Sequence, residues 1–557
     1  MKPFSSNSIL VRFCGLIDRL TARHDKAPQL NKLRLLAKNK KWLDVEVGAR
    51  SMLAELPENK KVLIILAESL RNLNRLDEAV VMALRAASYP RAGWRPHFTA
   101  GLALKELGRM EEASDHLRMA AKRAPRIATI LQPLIEVVAA VEGLEAAATE
   151  YGARCGNSNR RKNLLIAEIC DIREWARVTG LTVLKAGEAE QIPYESPRVW
   201  GGSIPEEAHY TTGEKPCVAE LTGCRIFGRS AIVLTADGVA LSDTAGHPHF
   251  GRFVNLADRK LIVANVDGKV LLDTSSYQTR TIEEGILLAG YVSDAFGHWF
   301  PDYLPRLQFL RQHPDFERLP IIVDENMPQA HFDHLRRFAD NPLIRLKANE
   351  SFVCERLLMA TAPSFVPVHW FPNDIPAHEM PGLSPRALRF LRGGDDVNPD
   401  GVSRNSRLFL GRRGMSWRRL LNEAEIGAEL AKSGFETVYL EDMGMEEQIR
   451  VFRSAEWIVA PNGSALLNLV FSDPSVKLLV LSQPDLFNWG TFQGPMRSLG
   501  YNPVWLCGGN VAATGQKHAD YQVPVEQMRD VLQEMGLDTK IPEKLIQIQI
   551  PDKVILT

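Results

Sequence analysis

The chain has 557 residues, 45% hydrophobic and 24% charged, with lysine plus arginine equal to aspartate plus glutamate at 67 each. That length exceeds one hydrophobic core and implies roughly two to four domains. The neutral balance excludes a global basic field for nucleic acid or an anionic membrane, so any anion site must be local. Seven cysteines (Cys14, Cys155, Cys170, Cys217, Cys224, Cys354, Cys507) form no CxxC pair, as expected of reduced thiols rather than a disulfide frame or a zinc site.

In chain order, Ile9 to Ile17 is an apolar patch interrupted by Arg12, and neither a signal peptide nor a transmembrane segment of ~20 apolar residues is expected. The expected location is cytoplasmic, with peripheral contact to the inner membrane through the first residues left open. Residues 1–160 then read as a helical-repeat domain. Arg75–Ala79 recurs at Arg109–Ala113, an offset of 34, with weaker copies at Lys41–Val45 and Gly143–Ala147. Pro57, Pro90 and Pro125 fall near the ends of successive helix pairs. This period and the small residue after an acidic turn resemble the tetratricopeptide repeat, two-helix hairpins that bury one another's apolar faces. Such an array serves as a concave surface for a protein partner or as a structural appendage docked on the next domain.

Residues 161–280 read as a linker, marked by Gly201-Gly202, and a small β-rich subdomain. Asp237-Gly238 and Asp267-Gly268 each separate two apolar runs, the pattern of a tight β-hairpin. His247 and His249 lie close together, but no cysteine or acidic ligands accompany them, and an exposed loop is expected rather than a metal site.

From residue 281 apolar runs alternate with helical stretches in two blocks, 281–400 and 401–557. Strands are expected at Ile286–Tyr291, Pro320–Val323, Leu343–Leu346 and Phe352–Met359. A second series is expected at Arg407–Leu410, Glu436–Leu440, Trp457–Ala460, Lys477–Leu481 and Pro503–Leu506, with helices at Glu423–Lys432 and Glu446–Ser454. This alternation predicts parallel sheets covered on both faces, a hinge near Gly393 to Asn405, and a ligand cleft between the blocks.

Three segments carry chemistry. His298, Asp302 and Arg306, spaced by four, share one face if a helix runs through them, and an imidazole beside a carboxylate can deprotonate an attacking hydroxyl. The alternative is an Asp302–Arg306 surface pair with His298 capping the helix. Arg412, Arg413, Arg418 and Arg419 form a cationic cluster suited to phosphate, followed by Asn422 and Glu425 in the spacing of a capping box. Finally, Trp457 to Ala460 ends at Pro461 and turns through Asn462, Gly463 and Ser464 into Ala465–Phe471. A strand turning through glycine into a helix presents free N–H groups to an anion.

Gly297 to Phe300 with Asp302, Leu304, Pro305, Arg306 and Leu307, then Arg413, Arg419 to Glu423, Glu447 to Ile449, Phe452, Ala455 and Asn462 to Asn468, occur in the order of glycosyltransferase family 61 (DUF563), which this region resembles. The resemblance implies a GT-B fold of two Rossmann-like domains, the first on the acceptor side and the second on the donor side. It implies inverting, metal-independent transfer of a hexosyl or pentosyl group from a nucleotide sugar, UDP-linked, to a glycan or lipid-linked acceptor in capsular or other surface polysaccharide synthesis. No other cofactor is implied. By that similarity Arg413, Arg419, Asn462, Gly463, Ser464, Ala465 and Leu466 hold the donor. His298 and Asp302 sit beside the acceptor, and Arg306, Glu423, Gln448 and Asn468 complete the motif. The chain departs from the pattern at Asn462, where the family usually has histidine, and in the strand Leu478 to Ser482, which lacks a common glutamate. The alternative is a non-catalytic repeat scaffold carrying a degenerate transferase domain.

Overall fold

The structure is a computed structural model and describes residues 27–39, 41–155, 162–202, 208–242, 260–364, 382–394, 401–414, 418–483, 490–510 and 519–538. The Ile9–Ile17 patch, Cys14, His247, His249 and part of the expected hinge lie outside these residues. Two compact units divide the chain, Met1–Lys162 and Asn163–Thr557. No described helix is long and apolar enough to cross a membrane.

The first unit is all helical. Helices begin at Trp42, Leu76, Met110 and Leu144, each 34 residues after the last, and Lys60–Asn72, Arg95–Glu106 and Ala128–Glu142 alternate with them. Each repeated sequence feature has a local cause. Asn74 (φ 59°) and Gly108 (φ 78°) occupy the same left-handed position in successive hairpin turns, which asparagine and glycine tolerate best. The small residues after the acidic turn, Ala79 and Ala113, are fully buried. The repeated arginine holds the turn: Arg75 bonds Glu78 at 2.6 Å and reaches back one repeat to Glu46 at 2.5 Å.

The second unit opens with strands β1 (Leu164–Cys170), β2 (Val183–Lys185), β3 (Gln191–Glu195), β4 (Ala208–Thr212), β5 (Cys217–Phe227), β6 (Val233–Leu234), β7 (Ala240–Leu241), β8 (Ile262–Val266) and β9 (Lys269–Asp273). It continues through β10 (Gln278–Leu287), β11 (Ile321–Asp324), β12 (Leu343–Leu346) and β13 (Glu350–Ala360). All but β3 and β4 join one mixed sheet of order β12-β11-β10-β13-β5-β6-β7-β1-β9-β8, with β2 beside β5. Both expected hairpins are present, β6–β7 and β8–β9, and Asp267 (φ 51°) with Gly268 (φ 72°) forms the tight turn of the second.

The border expected at residue 280 does not coincide with a sheet border. Strand β5 pairs antiparallel with β13 from Phe227↔Ser351 to Val218↔Ala360. Apolar residues of both strands, among them Leu221, Ala219, Leu357 and Met359, bury a common face. The β3–β4 hairpin instead packs on the helix Gly490–Ser498, where Gly494 lies too near the Pro193 carbonyl for any side chain.

Strands β14 (Ser406–Leu410), β15 (Phe435–Val438), β16 (Ala455–Pro461), β17 (Lys477–Ser482) and β18 (Val504–Cys507) form an all-parallel sheet of order β15-β14-β16-β17-β18. Strand residues alternate between two cores. Leu408, Leu410, Ile458, Ala460, Leu478 and Val480 face Ile449, Phe452, Leu466 and Met496. On the other face Phe409, Trp457, Val459, Leu479 and Leu481 meet Ile426, Leu430, Met528 and Val531. This is the doubly wound arrangement read from the apolar runs. The first of these cores continues into the first α/β block through Ile286, Ile321, Phe300 and Leu304. Phe300 meets Phe471 edge-on at 6.0 Å, and full burial of such a ring contributes about 1.5–3 kcal/mol. The blocks are therefore joined by packed apolar surface as well as by the polar crevice described next.

Candidate active site

In each α/β block the strand order reverses at one place. Between β10 and β13 the chain has run outward through β11 and β12 before returning, and between β14 and β16 it has run outward through β15. The loops leaving such a point diverge and open a crevice at the carboxyl ends of the strands. The loop after β10 leads to His298, and the loops after β14 and β16 carry Arg412 and Asn462–Ser464. The two points meet. A Cβ on Gly297 would lie 3.2 Å from the Cβ of Ser464, so glycine permits this close approach.

The His298 segment is not a regular α-helix. One turn, Phe296–His298, passes into a π-helical stretch Trp299–Tyr303 and a 3-10 turn Leu304–Arg306. Pro301 and Pro305 each lack an N–H, so the ladder cannot keep one period. The spacing by four still brings His298 Nδ1 to 3.0 Å from Asp302 Oδ2. Asp302 is buried, 7% exposed, so it is not the surface group of the alternative reading. Arg306 donates Nε to the Asp302 carbonyl at 3.0 Å and Nη1 to the Ala360 carbonyl at 3.1 Å, tying the segment to the end of β13.

The loop feeding this segment is held by residues that sequence reasoning passed over. Asp324, at the end of β11, is 1% exposed. It accepts the Gly290 N–H at 2.8 Å and the Ser293 hydroxyl at 2.6 Å through Oδ2, and the Arg229 N–H at 3.0 Å through Oδ1. Burial pushes its carboxyl above the usual range despite these donors. Within the loop, Val292 takes φ 55°, a costly conformation for a β-branched residue. His331 bonds the Ser293 carbonyl at 3.1 Å and stacks on Trp299 at 5.5 Å and 4°.

On the opposite side, Asn462 continues the β16–β17 pairing through its N–H to Leu481 O at 2.8 Å. Its Nδ2 donates to Ser482 Oγ at 3.0 Å, while Oδ1 is buried without a partner among the described residues. Gly463 is fully extended (φ 175°), so its glycine answers to space rather than to backbone angle. A Cβ there would stand 3.2 Å from the guanidinium carbon of Arg412. Ser464–Phe471 is a 3-10 helix, tighter than the expected α-helix, with Leu466 N–H closing on Gly463 O at 3.1 Å. Its first amides, Ser464 and Ala465, have no acceptor within the helix. Asn468 Nδ2 bonds Gln448 Oε1 at 3.3 Å, and Gln448 Nε2 bonds the Leu440 and Met443 carbonyls at 3.0 and 3.1 Å. These two residues fasten the 3-10 helix to its neighbour.

The arginine cluster divides by environment. Arg412 donates Nη1 to the Asn462 carbonyl at 2.9 Å, and its own N–H is accepted by Glu423 at 3.1 Å. Burial pulls Arg412 below the usual guanidinium range, and burial together with the charge of Arg412 does the same to Arg418. Arg413 instead pairs with Asp442 at 2.6 Å and lies over the Tyr439 ring at 3.6 Å, exposed. Arg419 forms a two-point contact with Asp520, at 2.6 and 3.1 Å, on the surface. Asn422 does not cap its helix. Its amide bonds both the N–H and the carbonyl of Val523, at 3.2 and 2.8 Å, which satisfies a neighbouring strand end in place of the helix.

The structure thus sets the His298–Asp302 segment beside Ser464 and Arg412 against Gly463, while Arg413 and Arg419 are exposed and paired with Asp442 and Asp520. Among the described residues no group of three or more His, Cys, Asp or Glu side chains could hold a metal ion.

Residues 296–479 match the family model Glycosyltransferase 61, from the His298 segment into the first half of β17. No curated protein matches the chain. Among solved structures the chain is similar to MamA, with 14% identity over 22% of this chain and 72% of that one at a TM-score of 0.21. It is also similar to MamA MSR-1, with 18% identity over 27% and 96% at 0.20. A third, a MamA from Desulfovibrio magneticus RS-1, shows 17% identity over 24% and 77% at 0.22.

Proposed function

From the premise that residues 296–479 carry a Glycosyltransferase 61 domain, we propose that the protein transfers a sugar from a nucleotide-sugar donor to a glycan or lipid-linked acceptor, with inversion and without a metal. The observation that carries this reading is the meeting of His298–Asp302 with the Arg412–Gly463 turn at two facing strand-order reversals. The strand-order reversals of the two blocks, which meet at Gly297 and Ser464, support a GT-B arrangement with the donor on the second block.

The chemistry follows from the contacts. Asp302 accepts the Nδ1 proton of His298, which leaves Nε2 with the lone pair. Nε2 removes the proton of an acceptor hydroxyl as its oxygen bonds to the anomeric carbon. The bond from that carbon to the diphosphate breaks on the opposite face, its electron pair leaves on the diphosphate, and a single displacement inverts the centre. Arg412, Arg418 and the amides of Ser464 and Ala465 stabilise the departing charge. Arg412, rather than Arg413, makes the direct contact. A UDP-linked hexosyl or pentosyl donor, a role in surface polysaccharide synthesis, a cytoplasmic location and a protein partner for the helical repeats complete the proposal.

A second reading, a non-catalytic scaffold, draws support from Asn462, whose amide can neither carry charge nor exchange a proton where the family places histidine. Melting curves against UDP-, GDP- and CMP-linked sugars separate the two, since a ligand that binds only the folded state raises Tm by mass action. The transferase reading predicts a rise with at least one donor that Arg412→Ala removes and Arg413→Ala keeps. A panel in which no nucleotide sugar shifts the wild-type curve would count against it.

A further inference from the structure

Pro301 and Pro305 deprive the His298 segment of a regular backbone ladder, so its shape must be held from outside. A chain of flat side chains runs along it. The fully buried Trp299 indole stacks on Tyr303 at 6.2 Å and 16°, and on His331 at 5.5 Å and 4°. The Arg306 guanidinium lies over the Tyr303 ring at 5.1 Å. Trp299 Nε1 has no hydrogen-bond partner among the described residues, so ring contacts orient the indole. Trp299 directly follows His298 and Tyr303 directly follows Asp302. Turning either ring therefore turns the pair with it.

In this chain of contacts His331 is the member from outside the segment, carried by the helix Gln329–Phe338 that follows β11. A carbonyl can only accept, so His331 Nδ1 donates to Ser293 O at 3.1 Å. The ring also lies 6.4 Å from that of Phe296. The imidazole thus grips the chain on both sides of His298, through Ser293 before it and Trp299 after it. It is buried, and burial pulls it down to about 4, so it stays neutral near pH 7 and keeps this single-donor form. Phe332 and Leu335 of the same helix enter the same core as Trp299 and Tyr303. An apolar ring would fill the place of His331 as well, but it could not bond Ser293. We propose that His331 is a positioning residue, which holds His298 in the orientation that gives its Nδ1 proton to Asp302 and leaves Nε2 with the lone pair. The proposal rests on the transferase reading for what the pair does, though not for how the pair is held.

The hydrogen bond that a histidine ring makes decides which nitrogen carries its proton. Ring-nitrogen NMR of the full-length protein, with the His298 signals assigned through His298→Gln, therefore reads the positioning directly and without turnover. Wild type is expected to show His298 in the Nδ1–H form. His331→Ala loses both the ring on Trp299 and the bond to Ser293. It is expected to shift His298 toward the Nε2–H form and to lower kcat by about tenfold or more, with donor KM within about twofold of wild type. His331→Phe keeps a ring on Trp299 and loses the bond alone, and is expected to fall between the two. Its similar size also guards against loss of folding in His331→Ala, and a circular dichroism melt confirms that each variant is folded. A His298 tautomer unchanged in the folded variants would overturn the positioning role, whatever their turnover. A shifted tautomer together with no sugar transfer by wild type would support the role and count against the transferase reading.

Discussion

Arg412 and Arg413 are neighbours in sequence and opposites in environment. One is half-buried against Gly463 and pulled down in pKa by desolvation, and the other is exposed and neutralised by Asp442. A run of arginines shows that an anion site is near, but which member faces it depends on how the chain leaves β14, and composition does not encode that direction. The histidines make a similar point. His331 and His334 are 2% exposed, and burial pulls both down to about 4. Both are neutral when folded, whereas the unfolded chain takes up protons below about 6.5. Their contribution to stability is therefore complete above that pH and is lost as pH falls from about 6.5 toward 4, by about 1.4 kcal/mol per pH unit for each histidine. His334→Gln should flatten the slope of unfolding free energy against pH over that interval by about this amount, measured by urea titration. An unchanged slope would show that His334 titrates normally in the folded protein.

At the scale of elements, most strands of the two α/β blocks were legible as short apolar runs. β10 was not, since it runs Gln278–Leu287 and shares only Ile286 and Leu287 with the expected Ile286–Tyr291. Its first half is exposed and polar and carries no apolar signal. β12 falls on the expected residues and β14 to β18 within one or two of them. The β5–β13 pairing was not legible, since antiparallel partners distant in sequence are chosen by the shared apolar face and no local signal marks them. Nor did the spacing of His298, Asp302 and Arg306 reveal a π-helical stretch. The spacing by four still joins His298 to Asp302 through their side chains and Arg306 to the Asp302 carbonyl, although the prolines disturb the ladder. Asp324 was invisible to pattern reasoning because a single aspartate at a strand end carries no motif. Two of its three accepted bonds hold the strained Val292 loop that delivers His298, and the third ties it to Arg229 after β5. Asp324→Ala leaves two backbone amides and a hydroxyl without their acceptor, and is expected to cost about 2–4 kcal/mol in denaturant unfolding. A loss below about 0.5 kcal/mol, the range of ordinary surface changes, would show that the loop holds its shape without it.

For the whole molecule, the 34-residue period announced the helical unit, and the alternation of strands and helices announced the two sheets. Their common crevice became visible only in three dimensions, where Gly297 touches Ser464 and Arg412 packs on Gly463. The central claim is that this crevice performs sugar transfer with His298 as base. The direct measurement is nucleoside diphosphate release by wild type, His298→Ala and Arg412→Ala, each supplied with nucleotide sugars and a membrane glycan extract as acceptor. The account predicts release by wild type from at least one donor. His298→Ala should be slower by about 10²–10⁴-fold with donor affinity retained, and Arg412→Ala should lose donor affinity. Release by His298→Ala at the wild-type rate, or no release by wild type from any donor, would contradict it.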